Sequence, residues 1–216
     1  MTPSATPSIL KSLRDVTPHR DVTFDEALKV AELQATKLGQ LIDCNEGIRE
    51  HDIAELPRIA VNYENLVVSG MSHWNGHIWI ITLAKYDSLA RQRFTLLHEF
   101  KHIIDHRQSS RLYTGDRNRN PAQQAEAAAD YFAGCALVPK RQLKSAWGNG
   151  IQRIWDLAAH FGVSQPAIRV RLAQTGLDTV VDWPPEARCA RPISTPRSQP
   201  QQFQIRRPTY AKRTYA

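Results

Sequence analysis

The stretch Arg91–Arg107, RQRFTLLHEFKHIIDHR, decides how the rest of the chain is read. It contains His98-Glu99-Phe100-Lys101-His102, an H-E-x-x-H pattern. Residues four apart on an α-helix share a face, one turn apart. Both imidazoles can therefore reach one ion. Glu99 follows the first of them directly, where a carboxylate can take a proton from water at that ion. Phe94, Leu96, Leu97, Phe100, Ile103 and Ile104 recur at helical spacing, which predicts a buried helix. Asp87 or Ser88 is the expected N-cap.

Two histidines do not complete a zinc site, which takes three protein ligands when a position is kept open for water. His106 continues the series, but it lies about 12 Å along the axis from His98. Donors each about 2 Å from one ion are at most about 4 Å apart. His106 is thus left as a supporting group, a substrate contact or a surface residue. The better third ligand is Glu126, in Glu126-Ala-Ala-Ala-Asp130. Glu126 and Asp130 share a face of the following helix. Glu126 can close the ligand set, and Asp130 can accept the outer ring N–H of a ligating histidine and fix its orientation. The plainer alternative for this pair is a solvated acidic face.

The paired motifs carry a family resemblance. Arg93-Phe94-Thr95, the H-E-x-x-H run, and Glu126-x-x-Ala129-Asp130-x-Phe132-Ala133 ending in Leu137-Val138-Pro139 resemble the ImmA/IrrE zinc metallopeptidases, over roughly residues 24–178. The resemblance implies a compact α+β peptidase domain, mostly helical, with one Zn2+ on His98, His102 and Glu126 and with Glu99 as the catalytic base. Other divalent ions also suit such a donor set. Members characteristically act on helix-turn-helix repressors, so the implied partner is a repressor or antitoxin-like protein, with roles in stress response and transcription regulation. Two positions depart from the pattern. Many members carry a second acid where this chain has Ala128, and a glycine or small residue where it has Lys101. His73, His77, Tyr113 and Tyr131 are candidates for an oxyanion donor or substrate contact.

Around this centre the chain divides by composition. Residues 1–21 are Pro/Ser/Thr-rich and expected to be flexible. Thr23-Phe-Asp-Glu26 reads as a capping box opening a helix through Phe24, Ala27, Leu28, Ala31, Ala35, Leu38 and Ile42. Gly47 and Pro57 bracket a weaker segment. Arg58–Tyr63 is a strand candidate. Leu66–Trp74 and His77–Leu83 flank Asn75-Gly76, a two-residue hairpin signal. The expectation is a small antiparallel sheet beside the motif helix, placed to hold an extended peptide by main-chain hydrogen bonds. Gln108–Asn120 is polar and expected to be a mobile loop. Asn120-Pro121 then starts the helix that carries Glu126 and stops near Pro139.

Ile151–Phe161, a turn at Gly162-Val163 and a helix capped by Ser164 form a helix-turn-helix-like pair. Arg169 and Arg171 on its second helix are the candidate nucleic-acid contacts. The other reading is that the pair simply packs into the domain, as the same pattern does in the resembling family. The division expected is 1–21 flexible segment, 22–148 metallopeptidase domain, 149–183 helix-turn-helix-like subdomain and 184–216 basic disordered tail. That tail carries seven Lys/Arg against the single acid Glu186, +6 of the chain's +7, so the body is nearly neutral. Its Phe203, Tyr210 and Tyr215 alternate with basic residues, which would suit nucleic acid or a solvated tether.

Composition sets the wider frame. At 216 residues, with 42% hydrophobic and 23% charged residues, the chain can bury a full core. No apolar run nears the roughly 18–20 residues of a membrane span. No secretion signal is read at the N-terminus. Cys44, Cys135 and Cys189 are an odd, scattered set, which points to reduced thiols and a cytoplasmic place. The functional expectation is a zinc endopeptidase. The alternative is a non-enzymatic DNA-binding or partner-binding regulator that works through the helix-turn-helix-like pair and the tail.

Overall fold

The computed structural model describes residues 8–42 and 48–177. The basic tail, the first seven residues and Gly47 lie outside the described residues, as do Cys44 and Cys189. Twelve elements follow in the order α1 (Ile9–Arg14), α2 (Phe24–Leu41), α3 (Glu50–Ala54), β1 (Ile59–Glu64), β2 (Gly70–Trp74), β3 (Trp79–Ala84), α4 (Leu89–Asp105), α5 (Ser109–Leu112), α6 (Pro121–Leu137), α7 (Lys140–Gly148), α8 (Ile154–Phe161) and α9 (Gln165–Thr175). The protein is α+β and mostly helical, with one small sheet. No described helix is long and apolar enough to cross a membrane.

α4, the motif helix, is the centre of the packing. Leu97, Phe100, Ile103 and Ile104 are buried on it, and Phe100 meets Phe132 of α6. α6 lies between α4 and α2. It is rich in alanine, and Ala128, Ala129 and Ala133 are fully buried, so its backbone can approach both neighbours closely. Local sequence sets the helix starts. Ser88 accepts from the Arg91 N–H at the head of α4. Thr23 with Glu26, and Asn120 with Gln123, form capping boxes at α2 and α6.

The sheet has the order β1-β3-β2. β2 and β3 pair antiparallel, as the hairpin signal predicts, but β1 joins β3 in parallel, so the sheet is mixed rather than wholly antiparallel. The connecting loop is also longer than two residues. Trp74 pairs with Trp79, and Asn75 to Ile78 form the turn. The Asn75 carboxamide oxygen accepts from the N–H groups of His77 and Ile78, which closes a wider turn than an Asn-Gly pair requires.

Three expectations fail for nameable reasons. Residues 8–21 are not loosely held: Leu13 is fully buried, and Arg14 donates to the carbonyls of Ile103 and Ile104 near the C-terminal end of α4. Gln108–Asn120 is not a free loop. It contains α5, buries Leu112 and Tyr113, and its Asp116 accepts from Asn118 N, Arg119 N and the Gln124 side chain. The helix-turn-helix-like pair is not a separate subdomain either. Leu157, Phe161, Ile168 and Leu172 belong to the same core cluster as Leu97 and Phe100.

Candidate metal centre

α4 presents His98 and His102 one turn apart, and α6 brings Glu126 across to them. The His98 and His102 Nε2 atoms are 3.2 Å apart. Glu126 Oε2 lies 3.2 Å from His98 Nε2, and its Oε1 lies 3.4 Å from His102 Nε2. A tetrahedral zinc ion with bonds of about 2.0–2.1 Å needs donors about 3.3–3.4 Å apart. The separations are of that order, with the Glu126 carboxylate facing His98 through Oε2 and His102 through Oε1, and one ligand atom from each of the three residues lies within 4.8 Å of the others. The fourth vertex has no donor from this cluster, so the residues fit a divalent ion with an open position.

The surroundings hold these donors in place. His98 Nδ1 lies 2.9 Å from Asp130 Oδ1, one turn beyond Glu126 on α6. That hydrogen bond turns Nε2 toward the other donors. Burial alone would lower the His98 pKa, but the Asp130 hydrogen bond and the charges of Asp130, Glu126 and Glu99 outweigh it and hold the pKa above the ordinary value. His102 moves the other way, lowered by burial and by the neighbouring His98, with Glu126 and Glu99 opposing. Burial is the larger cause at His102 and the Asp130 hydrogen bond the larger raising one at His98; the nearness of the rings adds to the difference, since two ring nitrogens this close cannot both carry a proton. A cation between them removes the conflict, since both rings then bind as neutral donors.

Glu99 is held by a residue that the motif does not contain. Ser72 Oγ donates to Glu99 Oε2 at 2.8 Å. Close packing of β2 on α4 makes this possible. A Cβ at Gly70 would stand 2.5 Å from Thr95 Cγ2, so only glycine lets the strand lie this near the helix. Gly70 meets Thr95 and Ser72 meets Glu99. Two residues of strand rise about 6.7 Å and four of helix about 6.0 Å, so the two elements stay in step.

A family comparison can now be set beside this geometry. The IrrE N-terminal-like domain of peptidase family M78 matches residues 55–173, more than half of the chain. The chain belongs to the IrrE N-terminal-like family. Membership supports a metallopeptidase-type function. Among solved structures, a Mycobacterium tuberculosis transcriptional regulator is similar with a TM-score of 0.59 at 20% identity. That match covers 77% of this chain and 52% of the regulator, so this chain spans about half the regulator's length. At that identity the likeness concerns the fold alone. No curated protein matches the chain.

The remaining candidate residues of this IrrE-like domain do not gather at the metal cluster. His73 alternates with Ser72 along β2 and so points to the opposite face of the strand from Glu99. His77 sits exposed in the hairpin turn. The Tyr113 hydroxyl is buried and donates to Asp105, which removes it as an oxyanion donor. Tyr131 donates to Glu32 Oε2 at 3.3 Å. His106 caps α4 and packs edge-on against Trp79, with ring centroids 4.9 Å apart.

Of the two candidate nucleic-acid contacts, Arg169 is exposed, but Arg171 is not available. Arg171 is 2% exposed, donates from Nε to the Val138 carbonyl and from Nη1 to Gln174 Oε1, and lies over the Tyr131 ring. It closes the end of α6 instead of facing solvent.

Sequence reasoning missed Ser72. Its only signal was position, one residue from His73 on a strand expected to border the motif helix.

Proposed function

We propose that this protein is a zinc-dependent endopeptidase that cuts a helix-turn-helix repressor or an antitoxin-like partner. The carrying observation is the convergence of His98, His102 and Glu126 within 4.8 Å of one another, with Glu99 alongside. Zinc, when bound, acidifies water and polarises a carbonyl oxygen. Glu99 is the group that takes the proton from the attacking water and returns it to the leaving amine. Ser72 keeps the Glu99 carboxylate turned to that task. Asp130 holds His98 in the tautomer whose Nε2 is free to bind.

Among the described residues β2 pairs with β3 on one side alone, which makes it an edge strand. Its open edge can pair with an extended substrate segment close to Glu99. The repressor as substrate rests on the family resemblance. Against the regulator alternative stands Arg171, which lies in the core and not on a DNA-reading surface.

The test is Glu99→Gln in the full chain, co-expressed with a candidate repressor. The variant should keep one equivalent of zinc and the wild-type fold, while cleavage falls by about 10²–10⁴-fold. Cleavage at the wild-type rate would remove Glu99 from the mechanism. A wild-type protein that takes up no divalent metal would remove the peptidase reading altogether.

A further inference from the structure

A second cavity, away from the metal centre, has the chemistry of an anion site. It encloses about 760 Å³ between the C-terminal half of α2, the end of α6 and the first turn of α7, with Arg171 of α9 in its wall. Exposed Lys140, Arg141 and Lys144 stand around it, and Glu32 is the one carboxylate among its described lining residues.

Two independent features point to a ligand. The first is the head of α7. Pro139 is its N-cap and offers no side-chain acceptor, so the first turn lacks the capping bond found at α2, α4, α6 and α9. An uncapped N-terminus carries partial positive charge and backbone donors that suit an oxyanion. The second is Arg171. The residue is 2% exposed, and none of the ion pairs among the described residues includes it. Nη1 is committed to Gln174, a residue of a different cavity, and Nε to the Val138 carbonyl beside Pro139. Nη2, on the same guanidinium edge as Nε, is buried and meets no oxygen acceptor; the Cys135 thiol is the polar group beside the guanidinium. Glu32 accepts from Tyr131 through Oε2, and no ion pair joins it to Arg171 among the described residues. A buried, unneutralised cation is costly unless an anion comes close.

We infer that this cavity binds a small phosphate-bearing molecule, its phosphate at the α7 N-terminus among Lys140, Arg141 and Lys144, with Arg171 behind it. Guanidinium, ammonium and helix-end N–H groups together match a tetrahedral oxyanion better than a planar carboxylate. The cavity is larger than a bare phosphate, and Ala35, Ile48, Ala136 and Pro139 give it an apolar wall for the rest of the ligand. Cys135 also borders it, but burial pushes that thiol up to about 11, so it stays protonated and takes no part as a thiolate. The site does not depend on peptidase activity, and neither does its test.

The full chain is titrated with inorganic phosphate, pyrophosphate and AMP at constant ionic strength set with chloride, by calorimetry and thermal unfolding. One site is expected, and a twentyfold excess over Kd should raise Tm by roughly 4–7 °C. Arg141→Glu with Lys144→Glu changes two exposed residues. It should weaken binding at least about tenfold and remove the Tm shift. Arg169→Glu, exposed on α9 but outside this cavity, should leave both unchanged. Tighter binding of AMP than of inorganic phosphate would identify an organic phosphate as the ligand, and equal binding would identify the free anion. Undiminished binding in the double variant would assign the anion to the basic tail or the metal centre and overturn the site. So would the absence of heat and Tm shift with all three probes.

Discussion

Asp130 touches no ion in the proposed site, yet the geometry of His98 depends on it. Without the Asp130 hydrogen bond at 2.9 Å, the ring can rotate and its proton can sit on either nitrogen. Asp130→Ala is therefore expected to weaken zinc binding by about 10–100-fold while leaving the fold intact, since the Asp130 side chain is 62% exposed. Competition with a chromogenic chelator measures this directly, and unchanged affinity would make Asp130 a surface acid only. The residues of the candidate metal site were legible in sequence because two of them sit on one helix and the third follows at a motif distance. Ser72 was not, because its contact with Glu99 spans 27 positions and depends on the glycine two residues before it. Tyr113 misled for the opposite reason. A tyrosine in a polar stretch reads as exposed, but here the hydroxyl is drawn inward by Asp105.

Among the elements, α4 carries a cost on its buried side. Lys101, where the resembling family has a small residue, is 1% exposed and ion-pairs with Asp105, which also accepts from Tyr113. Burial lowers the Lys101 pKa while Asp105 raises it, and burial prevails. Removing one partner leaves the other charge stranded. Lys101→Ala should destabilise the protein by about 3–5 kcal/mol in urea unfolding, whereas Lys101→Met combined with Asp105→Leu and Tyr113→Phe should recover most of that loss. Equal losses in the single and triple variants would mean that volume, not charge, sets the cost.

The capping box of α2 gives a pH-dependent counterpart. Hydrogen bonds from Arg20 and from the Thr23 N–H hold the Glu26 pKa down to about 2, against an ordinary 4.5. A carboxylate lowered on folding stabilises the fold above its ordinary range and loses that contribution as pH falls through the folded value. The stability gap between wild type and Glu26→Gln should thus be full at pH 6 and close between pH 4.5 and pH 2, read by urea unfolding monitored with circular dichroism. A gap that does not vary with pH would remove the charge from the cap's role. Caps such as this were readable because Thr23-x-x-Glu26 and Asn120-x-x-Gln123 are local. The parallel pairing of β1 was not readable, because nothing within Ile59–Glu64 tells which side of the hairpin it joins.

At the scale of the whole molecule, a sequence boundary and a packing boundary do not coincide. The Gly-rich turn around Asn149 and Gly150 marks a compositional break, and the helices after it have their own helix-turn-helix pattern. Yet their apolar faces enter the core built on α4, and Arg93 of α4 donates to the carbonyls of Phe161 and Gly162 at their turn. Periodicity reveals which face of a helix is apolar but not what covers it, which is why two domains were legible where α4, α8 and α9 share one buried cluster. The consequence is a specific truncation behaviour. A chain ending at residue 148 loses Leu157, Phe161, Val163, Ile168, Leu172 and Leu177, each 7% exposed or less. At about 1.5–3 kcal/mol per buried apolar side chain, an upper estimate, that is about 9–18 kcal/mol, against a total stability of about 5–15 kcal/mol for a domain. The fragment 1–148 should therefore show no cooperative thermal transition and bind zinc weakly through an unfolded chain. A chain ending at 183 should melt in one transition and bind zinc as the full protein does. A cooperative melt of 1–148 would mean that the helix-turn-helix-like pair is an appendage after all, and that α4 and α6 can hold the three metal donors together without it.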